Sequence, residues 1–87
     1  MHVSVISAER SVFSGDAEAV VAPAYDGFIG ILPRHAPFMT LLGEGIVRIT
    51  QKGVGGPIIR LRVAGGFLQV ASNVVRVVAR SAGPAET

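Results

Sequence analysis

The stretch Ile58–Arg80, which reads IIRLRVAGGFLQVASNVVRVVAR, decides the fold of this chain. Apolar and other residues alternate near both of its ends. The alternating apolar residues are Ile59, Leu61 and Val63 in the first part, and Val75, Val77 and Ala79 in the second. A period of two is typical of a β-strand with one buried face. Breaks at Gly65-Gly66 and Ser72-Asn73 therefore separate predicted strands of an antiparallel sheet.

The same pattern extends toward the N-terminus. Val47 and Ile49 alternate with more polar residues, and the glycine-rich run from Lys52 to Pro57 predicts a hairpin connection after them. Turn signals recur about every ten residues, and no helical stripe is evident. Strands are predicted near residues 2–7, 11–13, 16–22, 27–31, 38–42, 45–52, 57–64, 66–71 and 73–80.

These features predict an all-β protein, a two-sheet antiparallel β-sandwich or flattened barrel of about nine to ten short strands. The predicted domain covers residues 1–81, and residues 82–87 form a flexible tail because they lack any pattern. The predicted core residues are Val3, Val5, Phe13, Val21, Ile31, Leu41, Val47, Ile49, Ile59, Leu61, Val63, Leu68, Val70, Val75 and Val77.

Composition limits the classes of protein that need be considered. The 87 residues suffice for one domain, and 49% of them are hydrophobic while 16% are charged, which argues against disorder. No apolar run is long enough for a membrane span, and no secretory signal is evident. The chain has no cysteine, which excludes disulfides and thiolate zinc sites. With a net charge of only +2, most basic residues are interpreted as a solvated sheet face, with acidic protein partners and nucleic acid as the alternatives.

The sequence offers little for catalysis. The only imidazoles are His2 and His35, and neither is near a nucleophile elbow or within a set of metal ligands. Asp16 and Glu18 are expected on one face of a strand as an exposed, solvated pair. The glycines of residues 53–56 lack the lysine and helix of a phosphate-binding loop. We therefore predict no active site, no metal and no cofactor.

The segment Gly27–Thr40, GFIGILPRHAPFMT, predicts a stiff, shaped loop between two strands. Pro33 and Pro37 fix their own backbone angles and bias the residues before them toward extended conformations. His35 stands between the two prolines, and apolar side chains surround it in sequence. Part of this segment is expected to be buried and part to present an apolar face to a partner.

This segment closely resembles the signature loop of the epsilon subunit of F-type ATP synthases. Near the N-terminus, residues 2–10 and 12–17 resemble the first strands of that family. Near the other end, the segment 63–70 followed by 73–79 resembles its closing hairpin. Together these matches cover nearly all of residues 2–80. The resemblance implies a β-sandwich that acts as a non-catalytic rotor subunit of a proton-translocating complex. It also implies a peripheral location on the cytoplasmic face of the bacterial inner membrane.

The resemblance implies two partners, the gamma shaft and the polar loops of the membrane-embedded c-ring. The positions that match gamma-contacting residues are Ser7, His35 and Thr40, and those that match the c-ring-contacting turn are Asp26, Gly27 and Phe28. Many family members carry an acid where this chain has Phe28, so an apolar or aromatic contact with Tyr25 beside it is expected. Three alternatives stay open: a local hydrogen bond for His35, and core packing for Phe28 and for Phe38.

Typical epsilon subunits continue into two C-terminal helices, which can brake ATP hydrolysis and in some members bind ATP. Both a naturally short chain and an N-terminal domain fit a sequence that ends at Thr87, and Met1 favours the natural form slightly. The 87-residue polypeptide alone is expected neither to brake the enzyme nor to bind ATP. Two rival functions remain, a β-sandwich adaptor for another protein and a small basic barrel that binds single-stranded nucleic acid.

Overall fold

The computed structural model describes residues 1–51 and 57–85, which contain strands and turns and no α-helix. The strands are β1 (His2–Ser7), β2 (Ser11–Asp16), β3 (Ala19–Ala24), β4 (Gly27–Ile31), β5 (Phe38–Leu41), β6 (Gly45–Thr50), β7 (Ile58–Ala71) and β8 (Val74–Pro84). The predicted all-β sandwich is confirmed, with eight strands in place of nine to ten. The predicted hairpin connection at 52–56 lies outside the described residues.

A long hairpin of β7 and β8 is the centre of the fold. Its turn consists of Ser72 and Asn73, because Ala71 pairs directly with Val74. Both turn residues have positive φ, 53° and 60°, as the two-residue hairpin turn with mirror-image backbone requires. Asparagine tolerates this conformation better than most residues, so the Ser-Asn break in the sequence has a direct physical cause.

β7 changes its partner along its length. Residues 58–63 pair with β6, whereas residues 67–70 pair with β5, and β8 pairs along the opposite edge of β7 from Leu61 to Ala71. The inward positions also change phase, from Leu61 and Val63 to Leu68 and Val70. The change falls at Gly65 and Gly66, which have φ of 70° and 110°. β7 therefore belongs to both layers of the sandwich and joins them at a glycine corner.

The first layer contains β2, β1, the start of β8, the end of β7, and β5; the second contains β4, β3, β6, the start of β7 and the end of β8. One buried cluster lies between them, formed by Val3, Val5, Ala17, Val20, Ala22, Ile31, Leu42, Val47, Ile49, Leu61, Val63, Leu68, Val70, Val75, Val77 and Ala79. Among the described residues no polar or charged side chain is buried, so the layers are held by apolar packing.

The strand pairing departs from the predicted pattern at three places. β1 pairs with β8 in parallel, whereas a wholly antiparallel sandwich was predicted. The predicted strands 57–64 and 66–71 are one continuous β7, since the glycine corner bends the strand without ending it. β8 runs to Pro84, past the predicted start of the tail at residue 82, because the first half of β7 has an edge that these residues pair with.

The prediction that Val21 and Leu41 lie in the core is wrong. Val21 is 36% exposed and Leu41 is 63% exposed, and their neighbours occupy the core instead. Both lie in runs of consecutive apolar residues, where alternation does not distinguish the two faces. Phe13 and Ile59, also predicted in the core, are partly buried and pack against it.

We predict that Gly66→Ala destabilises the fold by about 3 kcal/mol. A residue with a side chain is strained at φ of 110°, and the new Cβ would stand 2.9 Å from the Ala79 Cα. Urea unfolding followed by circular dichroism measures the change. Gly30→Ala is the control, since a Cβ there meets nothing within 4 Å, and we expect it to alter stability by less than about 0.5 kcal/mol. Equal effects of the two substitutions would contradict the glycine corner.

Candidate functional site

The turn between β3 and β4 forms an exposed aromatic end of the molecule. Ala24 pairs with Gly27, so Tyr25 and Asp26 form a two-residue turn, and Gly27 follows with φ of 135°. Tyr25 is 69% exposed and Phe28 is 71% exposed. The three residues predicted to contact the c-ring are thus all exposed at one tip, and Phe28 does not pack in the core.

This aromatic turn is tied to the end of β5. The Tyr25 N–H donates to the Leu41 carbonyl at 3.2 Å, and the Gly43 N–H donates to the Pro23 carbonyl at 2.8 Å. The backbones approach closely, since a Cβ on Gly43 would lie 2.8 Å from the Ala24 oxygen. These contacts tie the tip to the end of β5 and to the segment that follows it.

The loop between β4 and β5 is built on a single tight turn. The His35 N–H donates to the Leu32 carbonyl at 3.2 Å, Pro33 occupies the second position, and Arg34 the third with φ of 67°. That is the pattern of a type II turn, in which glycine or asparagine usually holds the third position. The Arg34 N–H also donates to the Asn73 Oδ1 at 2.8 Å, which ties the loop to the β7–β8 turn.

His35 makes local contacts. Its Nδ1 lies 2.8 Å from the Ala36 carbonyl oxygen, so Nδ1 carries the proton in this hydrogen bond. Its ring packs against Phe38 with centroids 5.0 Å apart and an angle of 54° between planes. Phe38 in turn packs against the core, as one of the open alternatives stated. The imidazole is therefore oriented by its own loop, with Nε2 left for another contact.

The structure does not gather the three residues predicted to contact gamma into one cluster. The Ser7 hydroxyl donates to the Arg10 carbonyl at 3.3 Å in the turn after β1. Thr40 lies on β5, opposite Leu68, and is half-buried. Three strand spacings, about 14 Å, separate β1 from β5, and the His35 loop lies at the other end of the same layer. Only a broad interface can include all three.

An apolar strip crosses the outer side of the first layer, and sequence reasoning missed it. Register places Leu41 opposite Phe67, Phe67 opposite Val78, and Val78 opposite Ile6. Leu41 is 63% exposed and the other three are half-buried. Met39, 62% exposed, lies beside the strip on β5. The signal in the sequence is Leu41 itself, which the alternation predicts on the inner face and the structure places on the outer one. Leu41, Phe67, Val78 and Ile6 are called the apolar strip below.

The described residues do not assemble a catalytic or metal centre. His2 Nδ1 lies 3.8 Å from an Asp16 carboxylate oxygen, and its Nε2 lies 3.3 Å from the Ser14 hydroxyl, all on the surface. Asp16 ends β2 and Glu18 lies outside any strand, so the predicted same-strand pair is wrong. Within residues 1–51 and 57–85, no three histidine, cysteine or acidic side chains converge as metal ligands, and no helix could span a membrane.

Comparison with known proteins identifies the family. The family model described as the β-sandwich domain of the ATP synthase delta/epsilon chain matches residues 1–85, and the chain belongs to this family. The ATP synthase epsilon chain of Roseiflexus sp. (strain RS-1) is 41% identical over 86 residues, which are 99% of this chain and 60% of the relative. Epsilon chain 1 of Methylococcus capsulatus is 44% identical over 82 residues, 94% of this chain and 57% of the relative.

Solved structures agree at the level of the fold. A chain in the structure of the Euglena gracilis mitochondrial ATP synthase, with OSCP, F1 and the c-ring, superposes with a TM-score of 0.85 at 21% identity. The match covers 94% of this chain and 51% of that chain. This chain spans about three fifths of the length of the curated relatives it matches. The resemblance to epsilon subunits predicted from the sequence is confirmed.

We predict that Asn73→Ala destabilises the fold by about 2 kcal/mol, because it strains the positive φ and removes the acceptor of the Arg34 N–H. Asn73→Gly keeps the backbone conformation and loses only the hydrogen bond, so we expect a loss of about 1 kcal/mol. Chemical denaturation compares the two. Wild-type stability in both variants would show that the turn and its link to the loop contribute nothing.

Proposed function

We propose that this chain is a non-catalytic rotor subunit of a proton-translocating F-type ATP synthase, which couples rotation of the c-ring to the gamma shaft. The observation that carries the proposal is the identity of 41–44% with epsilon chains over nearly the whole chain. The relatives named are bacterial, which supports a peripheral location on the cytoplasmic face of the bacterial inner membrane. Catalysis then belongs to other subunits.

The aromatic turn is the proposed contact with the c-ring. Asp26, Gly27 and Phe28 occupy its tip, with Tyr25 beside them. Two aromatic side chains that are about seven-tenths exposed at a stiff turn are costly to leave in water and favourable to bury against a partner. The contact here is therefore apolar and aromatic, in place of the acidic one implied for many members of the family.

The outer side of the first layer is the proposed contact with gamma. The apolar strip ends at Leu41, next to Thr40, and at Ile6, next to Ser7. It thus crosses four strands between these two predicted positions, and the His35 loop extends the same layer. Thr40 and Ser7 themselves face the inner side, opposite buried Leu68 and buried Ala79, so they flank the strip and are not part of its outer surface. Since Ser7 and His35 hydrogen-bond locally, the strip supplies most of the buried area, and those two residues shape its border.

The proposed mechanism is mechanical. Torque passes through the subunit only if the aromatic turn and the apolar strip keep a fixed relation under load. A backbone hydrogen bond from Tyr25 to Leu41 links the aromatic turn to the end of β5. Leu41 is also the first residue of the apolar strip. The two contacts therefore share one well-packed element, so a force on one reaches the other without bending a flexible linker.

For gamma we predict that Leu41→Asp, Thr40→Glu and His35→Glu each weaken binding about 30-fold, the effect of losing an anchor worth about 2 kcal/mol. Calorimetry with isolated gamma measures it. Ile58→Asp is the matched control, since Ile58 is an exposed apolar residue of the other layer. Thermal melting checks the fold, above all for half-buried Thr40. Unchanged affinity of folded Leu41 and His35 variants would contradict this interface.

For the c-ring we predict that Phe28→Asp uncouples the enzyme. An epsilon-depleted cognate complex is reconstituted with each variant, and ATP hydrolysis and ATP-driven proton pumping are measured together. The quantity compared is the number of protons pumped per ATP hydrolysed. Wild type should restore it, and Phe28→Asp should give a value several-fold lower. Phe28→Leu should behave as wild type because it keeps an apolar contact. Failure of the wild-type chain to restore coupling would overturn the proposed function and favour an adaptor for another protein.

A further inference from the structure

Three arginines gather on the outer side of the second layer, away from the apolar strip and on the same side as Phe28, which lies across β3 from β6. Arg48 on β6 lies directly opposite Arg60 on β7. Arg62 is two residues further along β7 and faces the same side. All three are exposed. Side chains opposite one another on neighbouring strands have Cβ atoms about 5 Å apart, and alternate residues of one strand are about 6.7 Å apart.

The described part of the chain holds no counter-charge for this arginine face. Within residues 1–51 and 57–85, the only contact between a basic and an acidic side chain closer than 4.0 Å joins His2 and Asp16, on the other layer. Like charges placed directly opposite on two strands repel and destabilise the sheet. The Arg48–Arg60 pair therefore works against the fold, which indicates that the charges serve a contact outside it.

The type of basic residue and its neighbours favour carboxylates as the ligand. Seven of the eight basic residues of the chain are arginines, whose planar guanidinium binds a carboxylate through two parallel hydrogen bonds and is less strongly hydrated than an ammonium group. Val21 pairs with Arg48, and Ile58 precedes the arginines on β7; both are exposed apolar residues. An approaching chain can thus bury apolar surface and strengthen the ion pairs at once.

We propose that this arginine face binds an extended acidic segment of another polypeptide, with carboxylates on alternate residues. Alternate side chains of an extended segment are about 6.7 Å apart, which matches the spacing of Arg60 and Arg62. Three described arginines fall short of the four to eight basic residues with which proteins hold anionic lipid surfaces. Among the described residues Phe28 lies on the same side, but β3 separates it from the arginines, and no array of aromatic side chains stands beside them, as single-stranded nucleic acid requires.

The test uses the ¹⁵N-labelled 87-residue chain and an unstructured peptide of alternating glutamate and threonine, titrated by NMR. Two triple variants have the same net charge: Arg48→Gln, Arg60→Gln, Arg62→Gln in one, and Arg10→Gln, Arg76→Gln, Arg80→Gln in the other. We expect the first triple to lose at least tenfold in affinity and the second less than threefold. Shift changes in wild type should concentrate on β6 and residues 58–63 of β7.

Melting temperature is the check on folding, and we expect that of Arg60→Gln to equal or exceed wild type, because the substitution relieves repulsion. That single variant keeps the test valid if the first triple is unstable, and it should by itself weaken peptide binding about threefold. Equal loss of affinity in the two triples, or shift changes on the first layer, would overturn the proposal. So would tighter, Arg60-dependent binding to phosphatidylserine vesicles or to a single-stranded oligonucleotide.

Discussion

The glycine corner of β7 is the constraint on which the rest of the structure depends. Gly65 and Gly66 adopt positive φ, and a side chain on Gly66 would meet the Val78–Ala79 backbone. Because the corner lets one strand pair with β6 before it and β5 after it, two layers are built from a single hydrogen-bonded path. Leu61 before the corner and Leu68 after it can then pack into one core.

The corner also decides which residues each layer presents to solvent. Alternation of side chains sends Arg60 and Arg62 outward before the corner, and Phe67 and Gln69 outward after it. The two outer sides consequently differ in chemistry, one rich in arginine and the other apolar along a strip. A single chain of this size thereby exposes two chemically distinct surfaces while it uses one core.

The stability of the domain rests on apolar packing, and its charged side chains contribute little to it. No described polar or charged side chain is buried, and the one close contact between a basic and an acidic side chain among these residues, His2 with Asp16, is exposed. Exposed pairs contribute little to stability, typically less than about 1 kcal/mol. Charged residues can therefore vary with the partner at small cost to the fold, whereas substitutions at the glycine corner or in the core cannot.

The sequence by itself determined which stretches are extended, because apolar and polar residues alternate in β6, β7 and β8 and so set one inward face, although it did not determine where each strand ends. It also located the aromatic turn, since Asp26, Gly27 and Phe28 are adjacent in the chain. Only the tertiary structure decided the faces of Val21 and Leu41, the parallel pairing of β1 with β8, and the distance between Ser7 and His35. It alone placed Arg48 against Arg60. The reason is physical: local patterns report which side of a strand is buried, whereas pairing between distant strands decides which side chains become neighbours.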